Sequence, residues 1–173
     1  MKIESTKGVL SLDEATLCFN VEAEGESWSW EKDYRPCFLA GEEKVFFSDA
    51  ASIRHEAVKN GIGKGIRSSY SGFTIAGEKK ELAFETYAWI EECTGDVFFE
   101  WVPIKENGEI TKLFWPGPMA FEEKREDWYT LVNERQGYLI PNTWEVPSRP
   151  LHFKGQFCTA GGYMSWFSQI REG

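Results

Sequence analysis

The sequence predicts an all-β chain, folded as an antiparallel β-sandwich with few or no helices. Three observations carry this expectation. Apolar residues alternate with polar ones at period two through several segments, as half-buried strands require. Turn signals such as Asn60-Gly61, "CTGD" and Asn107-Gly108 punctuate these segments, at roughly the spacing of short sandwich strands. Aromatic residues make up 16% of the chain, with 13 Phe and 8 Trp, and such side chains fit a pleated, half-buried surface.

Taken in order, "ATLCFNVEAE" places Leu17, Phe19 and Val21 at period two, and "EKVFFSD" is a short apolar run. "SDAASIRHEAV" admits a helical turn or two, capped by Ser48 or Asp49. Next comes "NGIGKGIRSSYSGF", Asn60 to Phe73, whose glycines resemble a phosphate-binding loop. Such a loop needs Ser or Thr after its lysine and a helix beyond it, so that backbone N–H groups face the anion. Here Gly65 follows Lys64, position 66 is Ile where a dinucleotide motif needs Gly, and "IRSSYSGFTI" is strand-like. The stretch is therefore expected to turn at Asn60-Gly61 and enter a strand.

Residues 81 to 102 predict a β-hairpin. "KELAFETYAWIEE" puts Leu82, Phe84, Thr86, Ala88 and Ile90 on one face. Ala83, Glu85, Tyr87, Trp89 and Glu91 fall on the other, which is half-wet at best. "GDVFFEWVP" then alternates Val97, Phe99 and Trp101 with Phe98, Glu100 and Val102. Beyond it, "NGEITKLFWPGP" turns at Asn107-Gly108, runs as a strand to Trp115 and stops at Pro116 and Pro118. "EEKREDWYTLVNER" has some helical character although "WYTLV" favours strand, and "GYLIP" and "GGYMSWFSQI" are further strand candidates.

At 173 residues the chain fits one domain, 1–173, with a sizeable core. The net charge of −9 repels phosphate backbones, so no nucleic-acid partner is expected. No apolar run approaches the ~18 residues of a membrane span, and none at the N-terminus has signal-peptide length. Cys18, Cys37, Cys93 and Cys158 are far apart and form no C-x-x-C pair, which argues against a zinc site and for reduced, mostly buried thiols in the cytoplasm. No metal or cofactor is expected.

The chain has two histidines, His55 and His152, and no G-x-S-x-G elbow, so a Ser–His–Asp nucleophile is not supported. Carboxylates are plentiful, but sequence does not show which pairs approach one another as a glycosidase needs. The most distinctive segment is residues 114–147, where Trp115, Trp128, Tyr129, Tyr138 and Trp144 lie among four prolines and many polar groups. Rings beside amide and carboxylate groups suit sugars, whose C–H faces stack while their hydroxyls pair. Equally, these rings would plug a sandwich edge or bury themselves against another domain.

"GIGKGIRSSYSGF", "FETYAWIEECTGDVFFEW", "LFWPGPMAFE", "QGYLIPNTWEVP" and "GGYMSWFSQIREG" occur in this order. Together they resemble the N-terminal galactose-mutarotase-like β-sandwich, or supersandwich, of bacterial glycosidase-like proteins related to glycoside hydrolase families 31 and 101. The resemblance runs from about residue 61 to the end and includes no catalytic signature. It implies a domain that precedes a (β/α)8 barrel, with the catalytic carboxylates supplied by that barrel. On this view the chain is the N-terminal part of a larger glycoside hydrolase, and "SQIREG" lies mid-strand or at a hairpin turn.

The expected function is a non-catalytic domain of a carbohydrate-active hydrolase that packs against the barrel and lends a loop to the sugar cleft. Asp127, Trp128, Asn142 and Trp144 are the expected carbohydrate contacts, the tryptophans by stacking and the others by bonding hydroxyls. Three rivals remain open. One is a stand-alone carbohydrate-binding module. Another is a mutarotase- or epimerase-like enzyme using His55 or His152 with a glutamate. The third is an interaction domain that forms a homodimer through an exposed face.

Overall fold

A computed structural model describes residues 1–120, 126–132, 138–141, 143 and 167–171. The chain divides into two compact units, Met1–Ala120 and Phe121–Gly173. It is an all-β, antiparallel sandwich, and the one helical element among the described residues is a single 3-10 turn, Phe47–Asp49.

The first unit is organised around one long sheet. Its strands are β7 (Ser52–Lys59), β8 (Gly63–Ile75), β9 (Glu78–Glu91) and β10 (Val97–Lys105), in the order β10-β9-β8-β7. Two smaller sheets accompany it. One holds β1 (Lys2–Glu4), β2 (Val9–Leu12), β3 (Phe19–Ala23) and β4 (Glu26–Ser29) in sequence order. The other has the order β11-β5-β6, from Ile110–Phe114, Cys37–Ala40 and Glu43–Phe46.

The expected hairpin at 81–102 is present as β9 and β10, and the glycine-rich stretch is the β7–β8 hairpin. There the Asn60 side-chain oxygen accepts from the N–H groups of Ile62 (2.9 Å) and Gly63 (2.8 Å), a local turn of the kind asparagine favours. The β8–β9 connection is a two-residue turn with positive φ at both Ala76 (52°) and Gly77 (78°), as the right-handed twist of the flanking strands demands. Pairing then runs from Ile75↔Glu78 to Gly63↔Glu91, with one irregularity between Ser71 and Phe73.

Helix is not what forms at Ser48–Val58. Ser48 and Asp49 belong to the 3-10 turn, where the Asp49 carboxylate accepts from the Phe46 N–H at 2.9 Å. From Ser52 the chain enters β7 and pairs residue by residue with β8. The capping signal is genuine but local, and an edge strand with no fully buried residue offers no period-two pattern to oppose it.

The inner face of the long sheet is buried in two clusters. Tyr70, Phe73, Leu82 and Phe84 meet Leu17, Phe38, Val45 and Phe47. Phe84 lies parallel to Phe73, with centroids 5.6 Å apart, and meets Phe38 edge-on at 6.0 Å, both favoured ring geometries. Ile66 and Ala88 meet Ile3, Leu10, Leu12, Phe19, Val21 and Trp30. So the long sheet carries the β5–β6 sheet over one part of its inner face and the β1–β4 sheet over another.

A polar row separates the two clusters. His55 pairs with Ser68, Ser68 with Thr86, and Thr86 with Trp101 across the four strands. Ser68 and Thr86 are buried, and their hydroxyls partner the Tyr70 phenol, which burial pushes above its ordinary range. His55 Nδ1 lies 2.7 Å from the Ser68 hydroxyl. Burial holds this imidazole below its ordinary value of 6.5, with the Glu14 carboxylate acting in the opposite direction and the terminal ammonium of Met1 acting with burial.

The second unit is a sheet of β12 (Trp128–Val132), β13 (Tyr138–Pro141) and β14 (Phe167–Arg171), in the order β13-β12-β14 and antiparallel throughout. "WYTLV" is thus strand, as its β-branched and aromatic content favours. Among the described residues no helix is long and apolar enough to cross a membrane.

The His55 environment has a consequence for stability. Above about pH 6.5 the imidazole is neutral in both folded and unfolded chains, and its contribution is fully present. As the pH falls, the unfolded chain takes up a proton that the folded chain resists, so stability is lost until the folded pKa is passed. The urea midpoint should fall between about pH 7 and about pH 5, and His55→Gln should flatten part of that fall. An identical pH profile for the variant would contradict this role.

Candidate functional site

Alternation along β9 sends Glu85, Tyr87 and Trp89 to the face opposite the core, and all three are only half-exposed. Register then assembles neighbours around them. Glu56, Arg67, Tyr87 and Glu100 form one row across the four strands. Ser69, Glu85 and Val102 form the next row on one side, and Gly65, Trp89 and Phe98 the next on the other.

These side chains hold one another in place. The Tyr87 hydroxyl donates to Glu85 Oε2 at 2.6 Å, and the Ser69 hydroxyl donates to Glu85 Oε1 at 3.2 Å. That bond from phenol to carboxylate, and then burial, raises the Tyr87 phenol above its ordinary range. Arg67 pairs with Glu56 and faces Glu85 at 3.9 Å. The indole N–H of Trp89 donates to Glu100 Oε2 at 3.0 Å, and the Tyr87 and Trp89 rings lie parallel with centroids 5.5 Å apart.

Gly65 sits beneath the indole. A Cβ there would lie 2.3 Å from the Ala88 carbonyl oxygen and 2.9 Å from Trp89 Cε3. The glycine lets β8 approach β9 closely, and the ring covers the backbone that this leaves bare. Aromatic faces with acceptors fixed beside them suit recognition more than proton transfer, because the Tyr87 hydroxyl, the Trp89 indole N–H and both Glu85 oxygens are already bonded.

Three clefts open elsewhere on the first unit. The first, of about 680 Å³, is lined by Met1, Leu12, Cys18, Phe19, Trp30 and Asp13 among others. Its carboxylate, Asp13, accepts backbone N–H bonds from Ala15 (2.8 Å) and Thr16 (3.3 Å). These bonds hold it below the usual carboxylate range, the opposite of the raised value a glycosidase acid needs. The others, of about 430 and 530 Å³, are lined mainly by polar turn residues. His55 lines none of the three. Among the described residues no group of three His, Cys, Asp or Glu side chains could hold a metal.

Of the sequence-predicted contacts, Asp127 is half-buried in the turn before β12, and Trp128 begins that strand and is buried. Asn142 and Trp144 lie outside the described residues, as does His152. The sequence placed Glu85, Tyr87 and Trp89 on the half-wet face of their strand and counted Glu85 and Glu100 among many carboxylates, without bringing the four together as one site. The signal was available: two large rings on the solvent side of an otherwise regular amphipathic strand.

The fold and this face define an all-β sandwich with a structured, aromatic outer surface, and that sandwich matches part of a glycoside hydrolase. One matched protein is alpha-N-acetylgalactosaminidase NagBb from Bifidobacterium bifidum. Against its GalNAc complex the identity is 39% and the TM-score 0.82, over 99% of this chain and 27% of that one. The complex with Gal-NHAc-DNJ gives 38% and 0.81, and the ligand-free structure 38% and 0.78, with the same coverage. The chain thus spans 27% of the length of the structures it matches. No family model and no curated protein matches it.

The close approach at Gly65 is testable. Gly65→Ala should destabilise the chain by about 1–3 kcal/mol in urea unfolding, as over-packing does. Gly61→Ala, where an added Cβ meets nothing within 4 Å, should change stability by less than about 0.5 kcal/mol. Equal effects at the two positions would refute the packing argument.

Proposed function

We propose that this chain is a non-catalytic β-sandwich domain of a glycoside hydrolase, of the galactose-mutarotase-like supersandwich kind found beside families 31 and 101. It precedes a catalytic barrel and packs against it, and the barrel supplies the catalytic carboxylates. The observation that carries this reading is the match over 99% of this chain to 27% of alpha-N-acetylgalactosaminidase NagBb, at 39% identity. At that identity the likeness extends beyond fold, so the substrate class proposed for the whole enzyme is an α-linked N-acetylgalactosamine. Asp127, Asn142 and Trp144 are the residues proposed to reach the sugar, on a loop lent to the cleft; Trp128, also expected there, is buried at the start of β12. The free thiols of Cys18, Cys37 and Cys93 support a reducing compartment, the cytoplasm.

A second reading, a stand-alone carbohydrate-binding module, draws on the parallel Tyr87 and Trp89 rings with Glu85 and Glu100 at their edges. The two readings differ in what the chain does alone.

A chimera separates them. This chain replaces the corresponding 27% of the NagBb chain, and hydrolysis of an aryl α-N-acetylgalactosaminide is followed. The chain alone should neither hydrolyse the substrate nor bind N-acetylgalactosamine in calorimetry. The chimera should retain kcat/KM within about tenfold of the parent, a cost of about 1.4 kcal/mol. Trp144→Ala in the chimera should raise KM. A well-folded but inactive chimera would overturn the domain reading, and sugar binding by the isolated chain would favour the module.

A further inference from the structure

The outer face of the long sheet continues onto β10, and there it becomes apolar and exposed. Phe98 is 48% exposed and Val102 36%. Register places Phe98 beside Trp89 and Val102 beside Glu85, so both join the aromatic face. Ile104, 57% exposed, follows at the irregularity between Pro103 and Lys105. β10 is an outer strand of its sheet among the described residues. The row of Glu56, Arg67, Tyr87 and Glu100 runs between the Trp89–Phe98 row and the Glu85–Val102 row, so exposed apolar side chains and rings flank a line of fixed charges, a mixture that non-obligate protein interfaces share.

The face is also preorganised. Tyr87, Trp89, Glu85 and Arg67 are fixed by their mutual bonds, so little side-chain entropy remains to be lost on docking. A sugar would gain less here, since the Tyr87 hydroxyl and the indole N–H already donate within the face. An apolar protein surface needs neither donor.

The occupant follows from chain length. The structures that share this fold at 39% identity are chains of which it covers only 27%, so most of each such chain packs somewhere outside this portion. We propose that the outer face formed by Tyr87, Trp89, Phe98 and Val102 is the docking surface for the remaining, catalytic portion of the parent glycosidase. The seat opposite Phe98 and Val102 is apolar, and groups facing Glu100 and Glu56 are hydrogen-bond donors. This assignment rests on the domain reading above and adds the surface to it.

Hydroxyl-radical footprinting of the isolated chain and of the NagBb chimera tests it. Oxidation of Tyr87, Trp89 and Phe98 should fall severalfold in the chimera, while that of Tyr34, remote in sequence from this face, should change little. The double variant Phe98→Lys/Val102→Lys, whose ammonium at position 102 would face the Glu85 carboxylate, should leave the isolated chain's thermal midpoint nearly unchanged. In the chimera it should restore oxidation at Trp89 and expose the junction to limited proteolysis. Protection of the three residues in an inactive chimera would uphold the surface while rejecting the proposed function. An active chimera with undiminished oxidation of these residues would overturn the surface and leave the function standing. Protection that instead grows with the concentration of the isolated chain, and is lost in the double variant, would assign the face to a second copy and overturn the proposal.

Discussion

Everything in the first unit depends on the register of β8 against β9. Pairing from Gly63↔Glu91 to Ile75↔Glu78 fixes, in a single ladder, which side chains enter the core and which face outward. Because side chains alternate, a slip of one residue would exchange the two sets completely. Phe84, Leu82, Ala88 and Ile90 would leave the interior, and Glu85, Tyr87 and Trp89 would enter it. The cost of burying Glu85 and exposing Phe84 is what makes the register unique.

The same ladder explains why core and outer face are linked. On the inner side, the buried Ser68 and Thr86 divide the two apolar clusters, with the Ser68 hydroxyl 2.7 Å from His55 Nδ1. On the outer side, Gly65 brings the strands close enough for the Trp89 indole to lie over the backbone. The indole therefore reaches Glu100 because of a missing side chain on the neighbouring strand. Structure and surface chemistry at this face have one origin, the glycine-rich start of β8.

Much of this was legible in the sequence, for physical reasons. The strict alternation from Leu82 to Ile90 and from Val97 to Val102 identified the hairpin and both of its faces, since a half-buried strand leaves that imprint. Lys64-Gly65 and Ile66 excluded a phosphate cradle, and the stretch is a hairpin. The 3-10 turn and β7 were not legible: Ser48 and Asp49 carry a true capping signal, and an edge strand exposed along most of its length shows no alternation. Leu17 was placed in step with Phe19, yet it lies outside β3 at a φ of 61° and is buried by the loop path. The short strands β1, β2, β4 and β5 were missed because three or four residues hold too little pattern. For the site, sequence attention went to Asp127, Trp128, Asn142 and Trp144, where aromatic and proline density is highest. The organised network instead arises from residues far apart in sequence, Glu56, Arg67, Glu85 and Glu100, which only register brings together.

Native-state hydrogen exchange tests the central claim, that the β8–β9 ladder is the spine of the fold. Amides paired between these strands from Ile66 to Ile90 should exchange slowest in the chain, at the free energy of global unfolding, while those of β7, β10 and the β1–β4 sheet open earlier. Exchange of the β8–β9 amides as fast as, or faster than, those of β1–β4 would place the stable centre elsewhere and contradict the account.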